Sequence, residues 1–116
     1  MAEPCLFCKI VDKEAPADVV HETATILAFR DVNPAAPTHI LLIPKEHIPS
    51  LREVKGEHAG MLVQLFHAAA HLAKAEGIDE AGWRFLTNVG RDALQSVPHL
   101  HFHLIGGRGL MGWPPG

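Results

Sequence analysis

The chain has 116 residues, of which 47% are apolar types and 20% are charged, so it can bury one core but not two. The net charge of −3 disfavours a protein that holds nucleic-acid phosphates on a basic face, and no apolar run reaches the ~20 residues of a membrane helix. We therefore expect a single domain over residues 1–116, with neither nucleic acid nor a membrane as its partner. Histidine occurs nine times whereas tyrosine is absent.

Short apolar and β-branched segments around one long helical pattern predict an α+β domain with an antiparallel or mixed sheet. In chain order the predicted elements are a short helix over residues 6–11, strands over residues 19–21, 25–30 and 38–43, a long helix over residues 57–76, and strands over residues 83–88 and 99–105. Apolar side chains recur at helical spacing in the long helix, at Met61, Leu62, Leu65, Phe66 and Leu72. We expect this helix to end at Gly77 and to cover one face of the sheet.

The most unusual segment is residues 99–104, which read His-Leu-His-Phe-His-Leu. Successive side chains of a strand point to opposite faces, so His99, His101 and His103 share one face and the apolar side chains share the other. The apolar face is expected to pack on the long helix. The histidine face has three interpretations: a chance polar surface, a metal site, or a site in which one imidazole is the nucleophile or the general acid–base.

The residues around the histidines favour the reactive imidazole. A solvent-facing strand has no need for three histidines, and ligands two residues apart on a strand lie ~6.6 Å apart, so three reach one ion only with distortion. The preceding loop carries Asn88, Gly90, Gln95 and Ser96, and polar donors beside a glycine turn form a wall that binds anions. Arg108 adds a cation beyond the strand. A substrate that bears phosphate fits these residues.

The histidine segment resembles the His-x-His-x-His-x-x signature of the histidine triad (HIT) family, and the whole chain is similar to its Hint branch of nucleotide-binding hydrolases. The matching segments, in order, are residues 5–10, 29–32, 36–39, 43–48, 95–97 and 113–116. The resemblance implies an α+β fold with a five-stranded antiparallel sheet, one long helix and one short helix. It also implies a homodimer in which the two sheets join.

The resemblance further implies covalent catalysis on a nucleotide substrate of AMP or GMP type. By position, His101 attacks the α-phosphorus and forms a nucleotidyl-histidine that water then cleaves. His103 and Ser96 match residues that contact the phosphate and the leaving group, and His39 matches one that supports the catalytic imidazole. A neutral imidazole approaches phosphate without the repulsion that an anionic nucleophile meets, and no cofactor is required for this chemistry.

The resemblance assigns further positions to nucleotide binding. Asp31 matches the carboxylate that binds the ribose, and the alternative for it is an ordinary turn residue. The other implied contacts are Leu6, Phe7, Ile10, Val32, Asn88, Gln95 and Val97, for which the alternatives are plain core or turn roles. Leu94 stands where the family usually has glycine, so if that glycine serves a positive φ, the loop here must be built differently.

Cys5 and Cys8 form a Cys-x-x-Cys pair, which is the usual half of a structural zinc site. In some bacterial-type relatives two histidines complete the set, and the matching positions are His47 and His99. We predict one structural zinc per chain; the alternatives are two buried free cysteines or, with less support, a redox dithiol. The N-terminal residues show no secretory pattern, so the cytoplasm is the expected compartment, where a structural disulfide is disfavoured.

These features predict a hydrolase of purine nucleoside phosphoramidates and related nucleotidyl compounds. The alternatives are a diadenosine polyphosphate hydrolase, a nucleotidyl transferase, and a nucleotide-binding regulatory protein with residual activity. In the family the C-terminal segment reaches the partner subunit's site, so Trp113 is expected to shape selectivity. His67 and His71, four residues apart, chelate a metal or form polar surface, whereas His21 and His58 are expected on the surface.

Overall fold

The computed structural model describes residues 5–111, so Trp113 lies outside the described residues. The elements are α1 (Leu6–Val11), β1 (Val19–Glu22), β2 (Ile26–Arg30), β3 (Thr38–Pro44), α2 (Ala59–Ala75), β4 (Trp83–Thr87) and β5 (Phe102–Gly106), with two 3₁₀ turns, Leu51–Glu53 and Gly56–His58, before α2. The strands form one sheet in the order β1-β2-β3-β5-β4, and all neighbours are antiparallel. The predicted fold class is confirmed. None of the helices within residues 5–111 is long and apolar enough to cross a membrane.

The two helices cover opposite faces of the sheet, because each central strand alternates its apolar side chains between two cores. In β2, Ile26 and Ala28 pack in the core beneath α2, whereas Leu27 and Phe29 pack beside α1. The antiparallel register continues this division into β3 and β5. The large core therefore lies under α2, and the smaller core beside α1 leaves room for a site.

The long helix lies one or two residues inside its predicted bounds, and one of its apolar residues is not in the core. Leu65 and Leu72 are buried, as the periodicity predicts. Phe66 is 54% exposed and rests edge-on against Phe85, with ring centres 5.5 Å apart. The predicted end is confirmed, since Gly77 takes a φ of +76° and donates its backbone N–H to Lys74.

The prediction of a strand over residues 99–105 is wrong at its start, because β5 begins at Phe102. The backbone of residues 99–101 bonds to groups outside the ladder: Leu100 N–H donates to the carbonyl of Ile48, and the carbonyl of His101 accepts from the Thr87 hydroxyl at 2.7 Å. The predicted division of faces is nevertheless confirmed for the apolar side chains, since all three lie in the core beneath α2.

Candidate active site and metal centre

A cavity of about 390 Å³ lies beside α1, on the face of the sheet opposite α2. Its lining residues are Leu6, Phe7, Ile10, Ala15, Pro16, Ala17, Phe29, Arg30, Asp31, Val32, Leu41, Ser96, His101 and His103. The walls are mostly apolar, and the polar groups converge at one end. The structure thus brings together eight of the residues that the sequence assigns to catalysis and nucleotide binding: Leu6, Phe7, Ile10, Asp31, Val32, Ser96, His101 and His103.

His101 is held in one tautomer by the backbone just before it. Its Nδ1 lies 2.7 Å from the carbonyl oxygen of His99, and because a carbonyl only accepts, Nδ1 carries the proton and donates it. The neutral ring therefore keeps its lone pair on Nε2. Burial lowers the pKa of His101, and the edge of the ring packs against Phe7 with ring centres 5.1 Å apart. His101 is a neutral imidazole with a free nucleophilic nitrogen.

His103 has the opposite tautomer because of a chain of donors that starts in the turn before β3. Ala35 N–H donates to Nδ1 of His39, so the proton of His39 is on Nε2 and can be donated to Nδ1 of His103, 2.9 Å away. The proton of His103 is then on Nε2, which is buried and has no hydrogen-bond partner among the described residues. That N–H is a buried donor without a partner within residues 5–111, in a side chain that lines the cavity. His39 thus supports the triad through His103.

Asp31 lies at the polar end of the cavity and is held by its own turn. One carboxylate oxygen accepts from Asn33 N–H at 2.8 Å, and the other lies 3.4 Å from Nε2 of His39. Ligand atoms of Asp31, His39 and His103 all lie within 4.8 Å of one another, and these hydrogen-bonding contacts account for that proximity without a metal ion. The remaining lone pairs of Asp31 can accept from hydroxyl groups of a ligand.

The loop between β4 and β5 places Ser96 at the border between this cavity and a second, wider one. The second cavity, of about 830 Å³, is lined by Pro49, Ser50, Arg52, Glu53, Gly90, Arg91, Leu94, Gln95, Ser96 and Pro98. Both ends of the Gln95 amide are used within the loop, since it accepts from Gly90 N–H and donates to the carbonyls of Pro49 and Val97. Asn88, Gln95 and Val97 do not line the first cavity, and their nucleotide contacts stay predictions.

Leu94, which stands where the family usually has glycine, takes a left-handed backbone conformation. Its φ is +63°, so the loop has a left-handed residue at this position even though the residue is not glycine. A leucine in that region is strained by roughly 1–2 kcal/mol. The positive φ is thus adopted with leucine in place of glycine, and the leucine side chain, 63% exposed, lines the second cavity.

Replacing Leu94 by glycine should stabilise the protein by about 1 kcal/mol, because relief of the strain exceeds the entropy that glycine adds to the unfolded chain. Urea unfolding of the wild type and Leu94→Gly measures this difference. The matched control is Ala93→Gly, whose φ is not positive and which should therefore lose stability. Equal losses in both variants would show that Leu94 carries no strain.

Burial and the nearby His101 and His39 lower the pKa of His103 to about 4. In the unfolded chain an imidazole titrates near 6.5, so between these values the unfolded state binds more protons than the folded state. The contribution of His103 to the free energy of unfolding is therefore fully present above pH ~6.5. It is lost as the pH falls toward 4, and the loss is on the order of 3 kcal/mol.

Urea unfolding at several pH values should therefore give a steeper loss of stability in the wild type than in His103→Gln. Acid release of any metal affects both proteins alike, so the difference between the two slopes reports the titration of His103. Parallel slopes would mean that His103 titrates similarly in the folded and unfolded states.

The predicted metal ligands meet at the start of α1. The six distances among Cys5 Sγ, Cys8 Sγ, His47 Nδ1 and His99 Nδ1 run from 3.0 to 3.6 Å. Tetrahedral zinc with Zn–S near 2.3 Å and Zn–N near 2.0–2.1 Å needs ligand atoms about 3.3–3.8 Å apart. The cluster therefore fits a structural zinc ion, which would close all four positions and leave none for substrate.

The chemistry of the four groups also suits a metal. His99 donates from Nε2 to the carbonyl of Pro44 at 2.8 Å, which leaves the lone pair of Nδ1 facing the cluster. Burial, with a hydrogen bond from Cys5, raises the pKa of the Cys8 thiol to about 11. A divalent cation reverses that effect, because thiolate is the ligand form and metal binding releases the proton. Both cysteines are free rather than paired in a disulfide.

Six residues of the first cavity were not predicted: Ala15, Pro16, Ala17, Phe29, Arg30 and Leu41. A signal existed for Phe29 and Leu41, because alternation along the two predicted strands places them on the face opposite the long helix, and they are partners in the β2–β3 register. The segment of residues 15–17 carries no such signal. Its position depends on where the turn after α1 directs the chain.

Comparison with known proteins identifies the fold and the histidine arrangement. The family model described as HIT domain matches residues 12–110. The chain belongs to the HIT domain family. It is 46% identical over 110 residues to a purine nucleoside phosphoramidase of Escherichia coli, a match that covers 95% of this chain and 92% of the relative.

Two further matches come from a plant and from a solved structure. The HIT domain is 47% identical over 115 residues to a 14 kDa zinc-binding protein of Zea mays, covering 97% of this chain and 88% of that one. It superposes on a HIT family hydrolase from Legionella pneumophila with a TM-score of 0.91 and 49% identity, covering 97% and 99% of the two chains. The family resemblance read from the sequence is confirmed.

Proposed function

We propose that this HIT-family protein hydrolyses nucleoside phosphoramidates or related nucleotidyl compounds of AMP type through a covalent intermediate on His101. The observation that carries the proposal is the fixed tautomer of His101, whose Nε2 lone pair is left for the cavity. Ser96 and His103 line the same cavity. The similarity to a relative named purine nucleoside phosphoramidase supports this substrate class.

In the first step Nε2 of His101 attacks the α-phosphorus while the bond from phosphorus to the leaving nitrogen or oxygen breaks. The ring gains positive charge as the new N–P bond forms, and the carbonyl of His99 stabilises this charge because it accepts the Nδ1 proton at 2.7 Å. Nε2–H of His103 donates to a non-bridging phosphate oxygen. The Ser96 hydroxyl, at the border of the two cavities, donates a hydrogen bond to the leaving group, which takes one proton from solvent as it departs.

In the second step water attacks the same phosphorus and the N–P bond to His101 breaks. The products are the nucleoside monophosphate and the free neutral imidazole, with the proton of water released to solvent. Zinc, when bound by the cysteine–histidine cluster, supplies structure only, since His99 is both a member of that cluster and the residue whose carbonyl fixes His101.

The rest of the cavity suits a nucleoside. Apolar side chains from α1 and β2, Phe7 and Phe29 among them, form walls against which a base can pack. Asp31 lines the same cavity close to His39 and His103, and its carboxylate can accept from both ribose hydroxyls. A volume of about 390 Å³ lies within the range of small-ligand pockets.

The proposal predicts that His101→Ala lowers kcat for adenosine 5′-phosphoramidate by at least about 10³-fold while AMP still binds, because the nucleophile is removed and the walls remain. Steady-state kinetics and calorimetric titration with AMP measure the two effects. His58→Ala is the control, since His58 is an imidazole outside both cavities. Turnover retained by His101→Ala would refute the mechanism.

A second candidate substrate class is the diadenosine polyphosphates. The cavity on the far side of Ser96 is lined by Arg52 and Arg91, which would attract an anionic leaving group. Parallel kinetics with adenosine 5′-phosphoramidate and a diadenosine polyphosphate decide between the two classes. A higher kcat/KM for the polyphosphate, lost in Arg52→Gln, would make it the preferred substrate.

We also propose a homodimer formed at the β4 side of the sheet. The outer edge of β4 is unpaired within residues 5–111, whereas the opposite edge strand, β1, has a register irregularity that blunts it. On α2, Val63 and Phe66 are 52% and 54% exposed. An apolar patch beside an open edge suits a second copy of this chain, whose sheet would continue the first.

Light scattering after gel filtration should therefore give twice the chain mass for the wild type and the single chain mass for Phe66→Glu, because the added charge cannot be buried at the interface. Ala75→Glu is the matched control and should stay dimeric, because Ala75 is exposed and lies about two and a half turns after Phe66, on the opposite side of α2. A monomeric wild type, or a dimeric Phe66→Glu, would contradict this interface.

A further inference from the structure

Three histidines outside the active site and the cysteine cluster lie around one cavity. The cavity measures about 270 Å³ and is lined by His21, Thr23, Ile26, Gln64, His67, Ala68 and His71. It lies between β1, at the edge of the sheet, and α2. None of these three imidazoles has a part in the proposed nucleotide chemistry. Their position around one cavity, with His21 on β1 and the other two on α2, therefore requires its own explanation.

Two of the three histidines share one face of α2, and the third faces one of them across the cavity. His67 and His71 are four residues apart on α2, so their side chains project from the same face with Cβ atoms ~5–6 Å apart. The ring of His21 approaches from β1, with its centre 6.1 Å from that of His71 and the ring planes 52° apart. Two imidazoles that bind one ion at about 2.0–2.1 Å in tetrahedral geometry have ring centres roughly 5 Å apart, so the rings of His21 and His71 must approach each other by about 1 Å.

The two elements are fixed relative to each other beside the cavity. Gln64, one turn before His67 and two turns before His71 on the same side of α2, accepts hydrogen bonds from the hydroxyls of Thr23 and Thr25 at 3.2 and 2.6 Å. The distance between β1 and α2 is therefore set by side chains other than the histidines. The imidazoles of His67 and His71 are exposed and that of His21 is half-buried, and rotation of these side chains on the fixed frame would bring their nitrogens toward one ion.

The donor set selects the class of ion. Three imidazoles suit zinc, copper or nickel, whereas calcium and magnesium require oxygen ligands. No carboxylate of the described residues lines the cavity, and that of Glu22, the residue after His21 on β1, is held by Lys13 and Lys45 at 2.9 and 2.7 Å. The site thus offers nitrogen ligands, and water can complete the coordination because the cavity opens to solvent.

We propose that His21, His67 and His71 form a second metal site, which binds one divalent ion of the nickel, copper and zinc class and joins β1 to α2. The site is separate from the Cys5, Cys8, His47 and His99 cluster, which lies at the start of α1 on the other face of the sheet. Because the ion binds two elements of the folded chain at once, it stabilises the folded state.

Calorimetric titration of the zinc-loaded protein with Ni²⁺ at neutral pH tests the site, since thiolate ligands retain zinc while imidazoles accept nickel. The wild type should bind one further Ni²⁺ per chain and should show a raised unfolding temperature in its presence. His21→Gln and His71→Gln should each weaken nickel binding by at least about tenfold and abolish the rise in unfolding temperature.

His58→Gln is the matched control, because His58 is the one histidine that belongs to none of the three histidine groups, and it should bind nickel as the wild type does. Binding that survives His21→Gln would reduce the site to an ordinary helical pair and overturn the proposal. The proposal would also be overturned if the wild type bound no further nickel ion. Equal weakening of nickel binding by His58→Gln would overturn it as well, because the binding would then be unspecific. The circular dichroism of each variant without nickel shows that the variant is folded.

Discussion

A single hydrogen bond, from Nδ1 of His101 to the carbonyl of His99 at 2.7 Å, links the parts of this molecule that matter for its chemistry. It decides which nitrogen of His101 carries the proton and which keeps its lone pair. His99 is fully buried, with its ring bonded to the carbonyl of Pro44 on one side and directed at the cysteine cluster on the other. The cysteine–histidine cluster and His101 are therefore joined through one residue, whose ring belongs to the cluster and whose carbonyl holds His101.

The second constraint is the division of the sheet into two faces. One face is devoted to packing beneath α2, where buried leucine, isoleucine and alanine side chains fill the space. The other face carries only a small core beside α1, and the room left there is the cavity with its histidines. Buried imidazoles are costly to protonate, and the lowered pKa values of His39, His99, His101 and His103 are the consequence.

Much of this arrangement could be predicted from the sequence, because periodicity controls it. Alternation from residue 99 onward placed the leucines and Phe102 in the core, and helical spacing placed Leu65 and Leu72 there. The start of β5 could not be read in the same way, since residues 99–101 have strand-like alternation but take their hydrogen bonds from Ile48 and Thr87.

The details of the site depend on contacts between residues far apart in the chain. That His39 bonds to His103 follows from the β3–β5 register, and the register is not visible in composition or spacing. Leu94 could not be assigned a positive φ from its type, because the surrounding loop imposes that conformation. The approach of His21 to His71 likewise depends on how β1 lies against α2.

Nuclear magnetic resonance of the imidazole nitrogens decides whether the proton on His101 is where the mechanism requires it. With histidine labelled by nitrogen-15 in the zinc-loaded protein at neutral pH, long-range proton–nitrogen correlation reports the tautomer of each ring, and His101→Ala and His103→Gln assign the two signals. The structure predicts opposite tautomers in neighbouring rings, with the proton on Nδ1 in His101 and on Nε2 in His103. A proton on Nε2 of His101 would contradict its role as the nucleophile.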